Sequence, residues 1–573
     1  MTDTEQGAER QDGQHLEVRA TEHDVRVYLD SHLDCLPRFV GRDLRLQDEV
    51  KEAIVRAVDG RYGKNFHRWV NLLTKTGRLL LAHFHLESLA YKRSPKALRA
   101  ALTSLPSGSN TCHQVYQDAM HRVEAQHPDR AELAKDALMW IVYAKIPLTT
   151  LLLREALAVS KDDPDIDRDK MPDIEDIIAS CGGLVTVNKA TDMIQLFHHT
   201  VQDFFEHTQD TWFPDADARI ARVCFTYLSF LPFHEGPSDT SSEFENRLAN
   251  YPLYGYAVQY WGVHAHHMPP AEVLAFFDED YAFQASHQAI LVMKGMPSHF
   301  IDLDKRLQEP TTGLHMCAYF GLLHPMRELI LTEDVDLQDG FGMTPLAVAA
   351  RYGQYTSMQL LLEHGADANF ADGVGEDVRT PLHWAAKSGK EDCVRLLLEK
   401  IYPDSAYGIP GAPLTWAVRE GHINIVKLFL DIPGFDLSPR DKHDCLHEAI
   451  LNYRQESVRL LVSSLDIDVN FRHQTRIGTH SHLEYAVMFK VPEIFEILIE
   501  SGKVDLTANG TCGWTLLHLC AFYQSTEIAN ILLRKGINTD AKDDQGMTPS
   551  EFATCMGHME IAEMISAKND PES

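Results

Sequence analysis

The chain has 573 residues, 44% of them hydrophobic and 24% charged, a balance that supports packed cores and excludes a disordered chain. Its 83 acidic side chains outnumber 53 basic ones for a formal charge of −30, which disfavours general binding to nucleic-acid phosphates or anionic membrane surfaces. The 10 cysteines are scattered without regular pairing and read as reduced thiols rather than a disulfide framework. No apolar run approaches the roughly 18 residues of a membrane span. The polar start "MTDTEQGAERQDGQ" has no apolar signal core and no Gly at position 2. The expectation is a soluble, cytoplasmic protein, with the nucleus as a further location.

Residues 1–16 read as a solvated tail. From 17 to 129 the pattern is helical: "DEVKEAIVRAVDG" repeats apolar residues at spacings of three and four, and "SPKALRAALTSLP" is a short helix closed by Pro106. Within this region "RYGKNFHRWVNLLTKTG", residues 61–77, is basic in an otherwise acidic chain. Over 130–208 the amphipathic "AELAKDALMWIVYAK" is followed by "PLTTLLLREALAV", for which Thr149 or Thr150 is a suitable N-cap. "MPDIEDIIASCGG" then predicts a helix stopped by Gly182 and Gly183, and "LVTVNKATDMIQL" a hairpin. Three helices followed by a hairpin predict a winged-helix domain. Residues 209–309 read as a helical linker or cap. In it "HEGPSDTSSEFEN", from His234, is a mobile connector, and "YGYAVQYWGVHAHH" a helix with Tyr254, Ala257, Tyr260 and Trp261 turned inward.

From 310 to 569 one pattern recurs: "TGLHMCAYFG" at Thr312, "TPLAVAARYG" at Thr344, "TPLHWAAKSG" at Thr380 and "APLTWAVREG" at Ala412. It continues with "DCLHEAILNY" at Asp444, "SHLEYAVMFK" at Ser481, "TLLHLCAFYQ" at Thr515 and "TPSEFATCMG" at Thr548. The steps are 32, 36, 32, 32, 37, 34 and 33 residues. A period near 33 around T-P-L-H-x-A resembles the ankyrin repeat, a pair of helices that buries its apolar side only against neighbours. Pro381 suits the first helical position, Ala385 and Ala386 allow close helix approach, and Gly389 can end the helix in the left-handed conformation. In the second helix Val394, Leu397 and Leu398 are expected on the buried face.

The densest histidine clusters, His83–His85 and His264–His267, lack the C-x2-4-C pairs usual beside structural zinc and read as solvated or capping residues. Cys181 sits at a helix end without a partner His or Asn at recognisable spacing, so a nucleophilic role is not expected. The reading is accordingly no enzyme, no metal and no cofactor. What remains is surface. The two residues before each helix-ending Gly position face a groove in stacked ankyrin units. After Tyr319-Phe320 they are Arg351-Tyr352, Lys387-Ser388, Arg419-Glu420, Leu451-Asn452, Met488-Phe489, Phe522-Tyr523 and Cys555-Met556. Arg351, Tyr352, Lys387, Arg419, Met488, Phe489, Phe522 and Tyr523 are the candidates for gripping a protein or peptide partner, and Trp384 and Trp416 are either anchors or packing.

In order, "EVRATEHDVRVYLDSHL", "KRSPKALRAALTSLP", "PLTTLLLREALAV", "IEDIIASCGGLVTV", "LFHHTVQDFFEHT", "WFPDADARIARVCFTYLSF" and "YPLYGYAVQYWGVHAHH", followed by the repeats, resemble the part of fungal NACHT–ankyrin proteins beyond the nucleotide-binding core. These are NLR-like signal-transduction ATPases. The resemblance implies that "HHTVQDFF" is the segment whose histidine senses nucleotide phosphates, which falls on His198, with Gln202 and Asp203 completing the motif. The chain departs from the family in lacking G-x-x-x-x-G-K-[ST]; the nearest string, "GRYGKNF" from Gly60, has the wrong glycine spacing and Asn65 where a hydroxyl should meet Mg²⁺. The resemblance thus implies a back half without its motor, His198 as a packed or hydrogen-bonded residue, and 61–77 as a retained intron or a tolerated surface insertion. The combined expectation is an all-α protein: a helical module, a winged-helix domain and an ankyrin-repeat solenoid acting as a protein-binding scaffold. The alternatives are a truncated or split NACHT nucleotide-dependent switch and an ankyrin adaptor or regulator associated with a metabolic gene cluster.

Overall fold

Apolar side chains three and four apart become paired, packed helices through nearly all of the computed structural model. It describes residues 21–58, 75–90, 92–105, 111–161, 163–294, 311–372, 379–401, 411–432, 437–475, 478–507 and 510–567. The tail 1–16 and the 61–74 part of the basic stretch lie outside the described residues, and residues 75–77 open the helix Lys75–Ala90. The chain divides into two units, residues 1–268 with 278–298 and residues 269–277 with 299–573.

In the first unit, helices Glu22–His32, Leu44–Val58, Lys75–Ala90 and Thr111–Glu124 pack around Leu29, Val50, Ile54, Ala82 and Leu89, each essentially sealed from solvent. The winged-helix elements follow: helix Pro128–Tyr143, β1 (Leu148–Thr149), helices Thr150–Ala158 and Ile174–Ser180, β2 (Val185–Asn188) and β3 (Met193–Leu196). Thr149 caps its helix by accepting the Leu152 N–H at 3.2 Å, and Gly182 and Gly183 end theirs at φ 58° and 79°. The hairpin is wider than the sequence predicts. β1 adds an antiparallel edge beside β3, giving the order β1-β3-β2 with Leu148 opposite Ile194. Two residues carry no alternation, so only the long-range pairing reveals this strand.

The stretch 209–309 belongs to both units. Helices Ala216–Leu228 and Pro252–His264 pack in the first through Phe225 and Trp261, whose rings lie 5.2 Å apart. The buried Glu155 accepts the Leu253 N–H at 2.6 Å, placing a carboxylate at the opening of the Pro252–His264 helix. The segment read as a mobile connector from His234 contains the start of helix Ser241–Asn250, capped where Thr240 accepts the Glu243 N–H. Of the side chains expected inward on Pro252–His264, Tyr254, Ala257 and Trp261 are buried and Tyr260 is only half-buried. Helix Pro270–Phe277 goes instead with the second unit, where it packs against Leu323–Leu329 and covers the apolar end of the first repeat.

The second unit is a two-layer stack of eight helix pairs among the described residues, from Gly313–Phe320 with Leu323–Leu329 to Pro549–Cys555 with Met559–Ala567. First helices neighbour first helices and second helices neighbour second helices, as a repeat that cannot seal its own apolar side requires. The longer steps are absorbed between helices. The 37-residue step holds β4 (Arg472–Thr475) and β5 (Gly478–Ser481), an antiparallel hairpin the sequence does not announce because its residues are mostly polar. The fifth first helix starts at Pro439, ahead of the motif's first position at Asp444, because Ser438 caps it by accepting the Asp441 N–H. In the third repeat the buried stripe is Cys393, Val394, Leu396 and Leu397, with Leu398 half-buried at its edge.

Two hydrogen-bond systems join several of the repeats to the next. In the first, the histidine of T-x-x-H closes a capping box: His315, His383 and His518 accept at Nδ1 from the backbone N–H of Thr312, Thr380 and Thr515. His315 and His518 also donate from Nε2 to the carbonyls of Met343 and Met547 in the following repeat, at 3.0 and 3.1 Å. In the second, a side chain just after one helix-ending position reaches the preceding helix's C-terminal carbonyls. Gln354 donates to Tyr319 O, His422 to Lys387 O, Arg454 to Arg419 O and His558 to Ala521 O, at 2.7–3.0 Å. Room for these side chains explains Gly389, at φ 75°, where an added Cβ would come within 2.5 Å of the His422 ring.

Two expectations follow from these bonds. Burial pushes His315 and His383 down to about 4 and lowers His518, against about 6.5 in an unfolded chain. The folded state therefore resists protonation; for His315 and His383 this stability is complete above pH 6.5 and is lost as pH falls toward 4, by about 1.4 kcal/mol per pH unit for each of the two. Denaturation midpoints should fall over that window, and His315→Gln should flatten the profile by about one proton. His422→Ala should cost about 1 kcal/mol, and Gly389→Ala should cost less in that background than in the parent, as a urea double-mutant cycle would read.

Candidate functional site

The repeat register places one residue of each first helix, the one after the T-x-x-H position, in a common column: Val348, Trp384, Trp416, Glu448 and Tyr485 in repeats two to six. Three positions further on, the parallel column carries Arg351, Lys387, Arg419, Leu451 and Met488, then Phe522. Stacking brings the columns of adjacent repeats together, and chemistry emerges that no single repeat contains.

Trp384 and Trp416 meet edge to face, ring centroids 5.6 Å apart at 87°. Three cations surround them. The Arg351 guanidinium lies 4.7 Å from the Trp384 ring centroid; Arg379 lies 5.4 and 5.3 Å from Trp384 and Trp416; Lys387 Nζ lies 5.7 and 5.0 Å from the same rings. Trp384 is 5% exposed, and its Nε1–H donates to Asp372 Oδ2 at 2.6 Å. Asp372 and Arg379 face each other through a bridge with backbone bonds of 2.7 and 2.9 Å, which fixes Arg379 beside the indoles. The Lys387 ammonium is held below its ordinary range by burial first and then by Arg351, with Arg379 and Arg419 adding to the repulsion. Burial raises the Asp372 carboxyl, opposed by the Trp384 N–H.

The other expected partner-binding residues are spread along the same face. Arg419 is exposed but engaged, donating from Nε and Nη2 to both oxygens of Glu448 at 3.0 and 2.9 Å. Tyr352 is half-buried with its ring 4.3 Å from Tyr319. Met488, Phe489 and Tyr523 are half-buried, Phe489 lying 6.3 Å from Tyr485, while Phe522 is 38% exposed and 5.3 Å from Trp514. In the opening pair Tyr319 is half-buried and Phe320 buried; Ser388 is spent on a bond to Ala350 O at 3.1 Å. Arg379 and Asp372 escape sequence reasoning because they lie outside the helices; only their place just before Thr380 hints at their proximity to Trp384.

In the winged-helix domain, His198 is the N-cap of helix His199–His207, its Nδ1 accepting the Thr200 N–H at 3.3 Å. Its pKa is lowered by burial and by His199. Gln202 donates to Val142 O at 3.2 Å, and the Asp203 carbonyl accepts from His207. An open depression of about 420 Å³ adjoins His198, lined also by Lys145, Pro147, Leu148, Ile194 and Gln202. Cys181 is fully buried with its thiol pushed up to about 12. Burial lowers His83 and His85 to about 4, and His83 stacks on Phe197 at 4.5 Å. His264 lies buried between Asp217, at 2.5 Å, and the Tyr256 hydroxyl, at 2.8 Å. Among the described residues no three His, Cys, Asp or Glu side chains form a metal-holding group.

Fold and face together define a chain that joins a winged-helix domain to an array of ankyrin repeats. The family model described as ankyrin repeats matches residues 314–407, 408–473 and 483–573, and that described as GPI inositol-deacylase, winged helix domain matches 122–215. Among curated relatives, the glycerophosphocholine phosphodiesterase GDE1 of Candida albicans is 26% identical over 214 residues, 34% of this chain and 18% of that protein. Human transient receptor potential cation channel subfamily A member 1 is 28% identical over 247 residues, 41% of this chain and 22% of the channel. The chain thus spans about a fifth of each relative's length. The human ASB11 ankyrin repeat domain is matched over its full length and 40% of this chain, at 25% identity and a TM-score of 0.33. No helix among the described residues is long and apolar enough to cross a membrane.

Replacing Trp384 by Phe keeps a ring for the cations but strips the buried Asp372 carboxylate of its donor. The expected loss is about 1–3 kcal/mol in urea unfolding at neutral pH, shrinking in acid as Asp372 takes up a proton.

Proposed function

We propose that the chain is a non-enzymatic protein-binding scaffold whose ankyrin first-helix face receives a protein or peptide partner. One observation carries this reading: side chains at equivalent positions of successive repeats form a continuous column that is cationic and indole-lined in repeats two to four and aromatic toward repeats six and seven. Aromatic and Arg anchors set among half-buried neighbours are what protein interfaces concentrate. The raised thiol of Cys181 and the capping and buried histidines fit structural roles rather than chemistry. On the strength of the motif order, we assign the chain to the recognition half of a fungal NLR-like receptor, with His198 retained as a helix cap.

Capture from a lysate of the source organism, read by mass spectrometry, should yield partners that bind the parent chain. Tyr352→Ala, Phe489→Ala and Phe522→Ala together should reduce that capture by tenfold or more while the array, though destabilised by the loss of half-buried rings, still unfolds in a cooperative urea transition. Retention of every partner by the triple variant would exclude the face.

The depression beside His198 and Lys145 favours a second reading, a nucleotide-dependent switch completed by another chain. Calorimetric titration of the purified chain with ATP and Mg²⁺ separates the two, since the scaffold reading expects no heat of binding.

A further inference from the structure

We propose that repeats two to four hold an acidic linear segment of a partner protein, its carboxylates seated on Arg379 and Lys387, with Arg351 alongside, above the paired rings of Trp384 and Trp416. This rests on the reading of the ankyrin face as a protein-binding surface and gives that partner its chemistry.

The argument begins with an imbalance. Acidic side chains outnumber basic ones by 83 to 53, and cations elsewhere on the chain find them readily: Arg99 meets Glu49, Lys135 meets Glu124, Arg395 meets Glu391, and Arg419 meets Glu448. Arg379 and Lys387 are different. Neither forms an ion pair among the described residues; both instead lie over the same two indoles. The nearby Asp372 carboxylate is turned to the Trp384 Nε1–H.

Arg351, Arg379 and Lys387 gather like charge over the same pair of rings, an arrangement unfavourable in the unbound molecule; burial first, and then Arg351, lowers the Lys387 ammonium, with Glu420 opposing. The rings offset part of that cost and hold the cationic groups in place. An arriving carboxylate therefore meets donors that are already oriented and partly stripped of water, the arrangement that yields charge-assisted hydrogen bonds at low ordering cost. The half-buried Trp416 supplies apolar contact to the aliphatic stems of Glu side chains, while the buried Trp384 beside it holds the cations in place. A nucleic acid fits less well. The cluster spans three repeats, Glu420 and Glu448 flank it, and the chain's −30 charge repels an extended polyanion while a short segment needs only the local field.

The test uses the full chain and fluorescence anisotropy of a labelled peptide of alternating Glu and Leu. A Gln/Leu peptide and a single-stranded thymidine oligonucleotide of matched charge serve as competitors. The Glu/Leu peptide should bind with affinity that falls as salt rises. Arg379→Gln with Lys387→Gln should weaken it about tenfold or more, whereas Arg459→Gln with Lys535→Gln should leave it unchanged. Lys387→Arg, which keeps the charge, should retain binding and so guards against a variant that merely misfolds. Binding unchanged in the Arg379/Lys387 double variant, absence of binding to the parent, or stronger competition by the oligonucleotide would overturn the proposal. Natural partners lost on the aromatic triple substitution but kept by the double variant would refute the acidic segment while sparing the scaffold; loss of no partner on either would sink both.

Discussion

A pair of short helices cannot cover its own apolar side, and the second unit is organised around that constraint. Each repeat seals its neighbour, and where neighbours run out another element is needed; at the amino-terminal end helix Pro270–Phe277 packs on the first pair. The polar backbone obeys the same logic. A helix of eight residues leaves half of its amide and carbonyl groups without intrahelical partners. The capping boxes, closed by His315, His383 and His518 and by Glu484 and Glu551, and the side chains of Gln354, His422 and Arg454 take up several of them. Burying those groups unpaired would cost about 1–3 kcal/mol each, so the bonds between repeats are conditions of the stack.

The same closeness creates the surface. Trp384 and Trp416 are unremarkable within their own repeats, and their rings become a platform only because stacking sets them 5.6 Å apart. Arg379 reaches that platform from a finger between helices, while Arg351 and Lys387 reach it from one column of the first helices. The platform is a property of the interface between repeats, and the character of the face changes along it as the residues in each column change.

Much of this was legible from the residues. The eight phased matches placed all eight helix pairs, since T-P-L-H-x-A specifies cap, first turn and close packing together. The capping Thr149, the stop at Gly182 and Gly183 and the hairpin β2–β3 were legible because each follows from local backbone chemistry. What escaped depends on distant pairing or on polar composition. β1 exists only opposite β3, and β4–β5 lacks apolar alternation. The early start at Pro439 lies ahead of the repeat motif and is carried by the local cap Ser438-Pro439. In the candidate site the cationic column and both tryptophans were legible by register. Arg379, Asp372 and the pairing of Arg419 with Glu448 were not, because they join positions 7, 12 and 29 residues or more apart in ways only stacked coordinates settle.

The stitches that end four of the first helices have a direction: the closing side chain comes from the repeat that follows, in all four pairs from Gln354 to His558. A chain leaving the ribosome therefore exposes these first helices in an unfinished form. The carbonyls of Tyr319, Lys387 and Arg419 must wait for residues synthesised some 35 positions later. Nascent folding of the array thus trails synthesis by one repeat, and the newest repeat is always the one most open to chaperones and proteases.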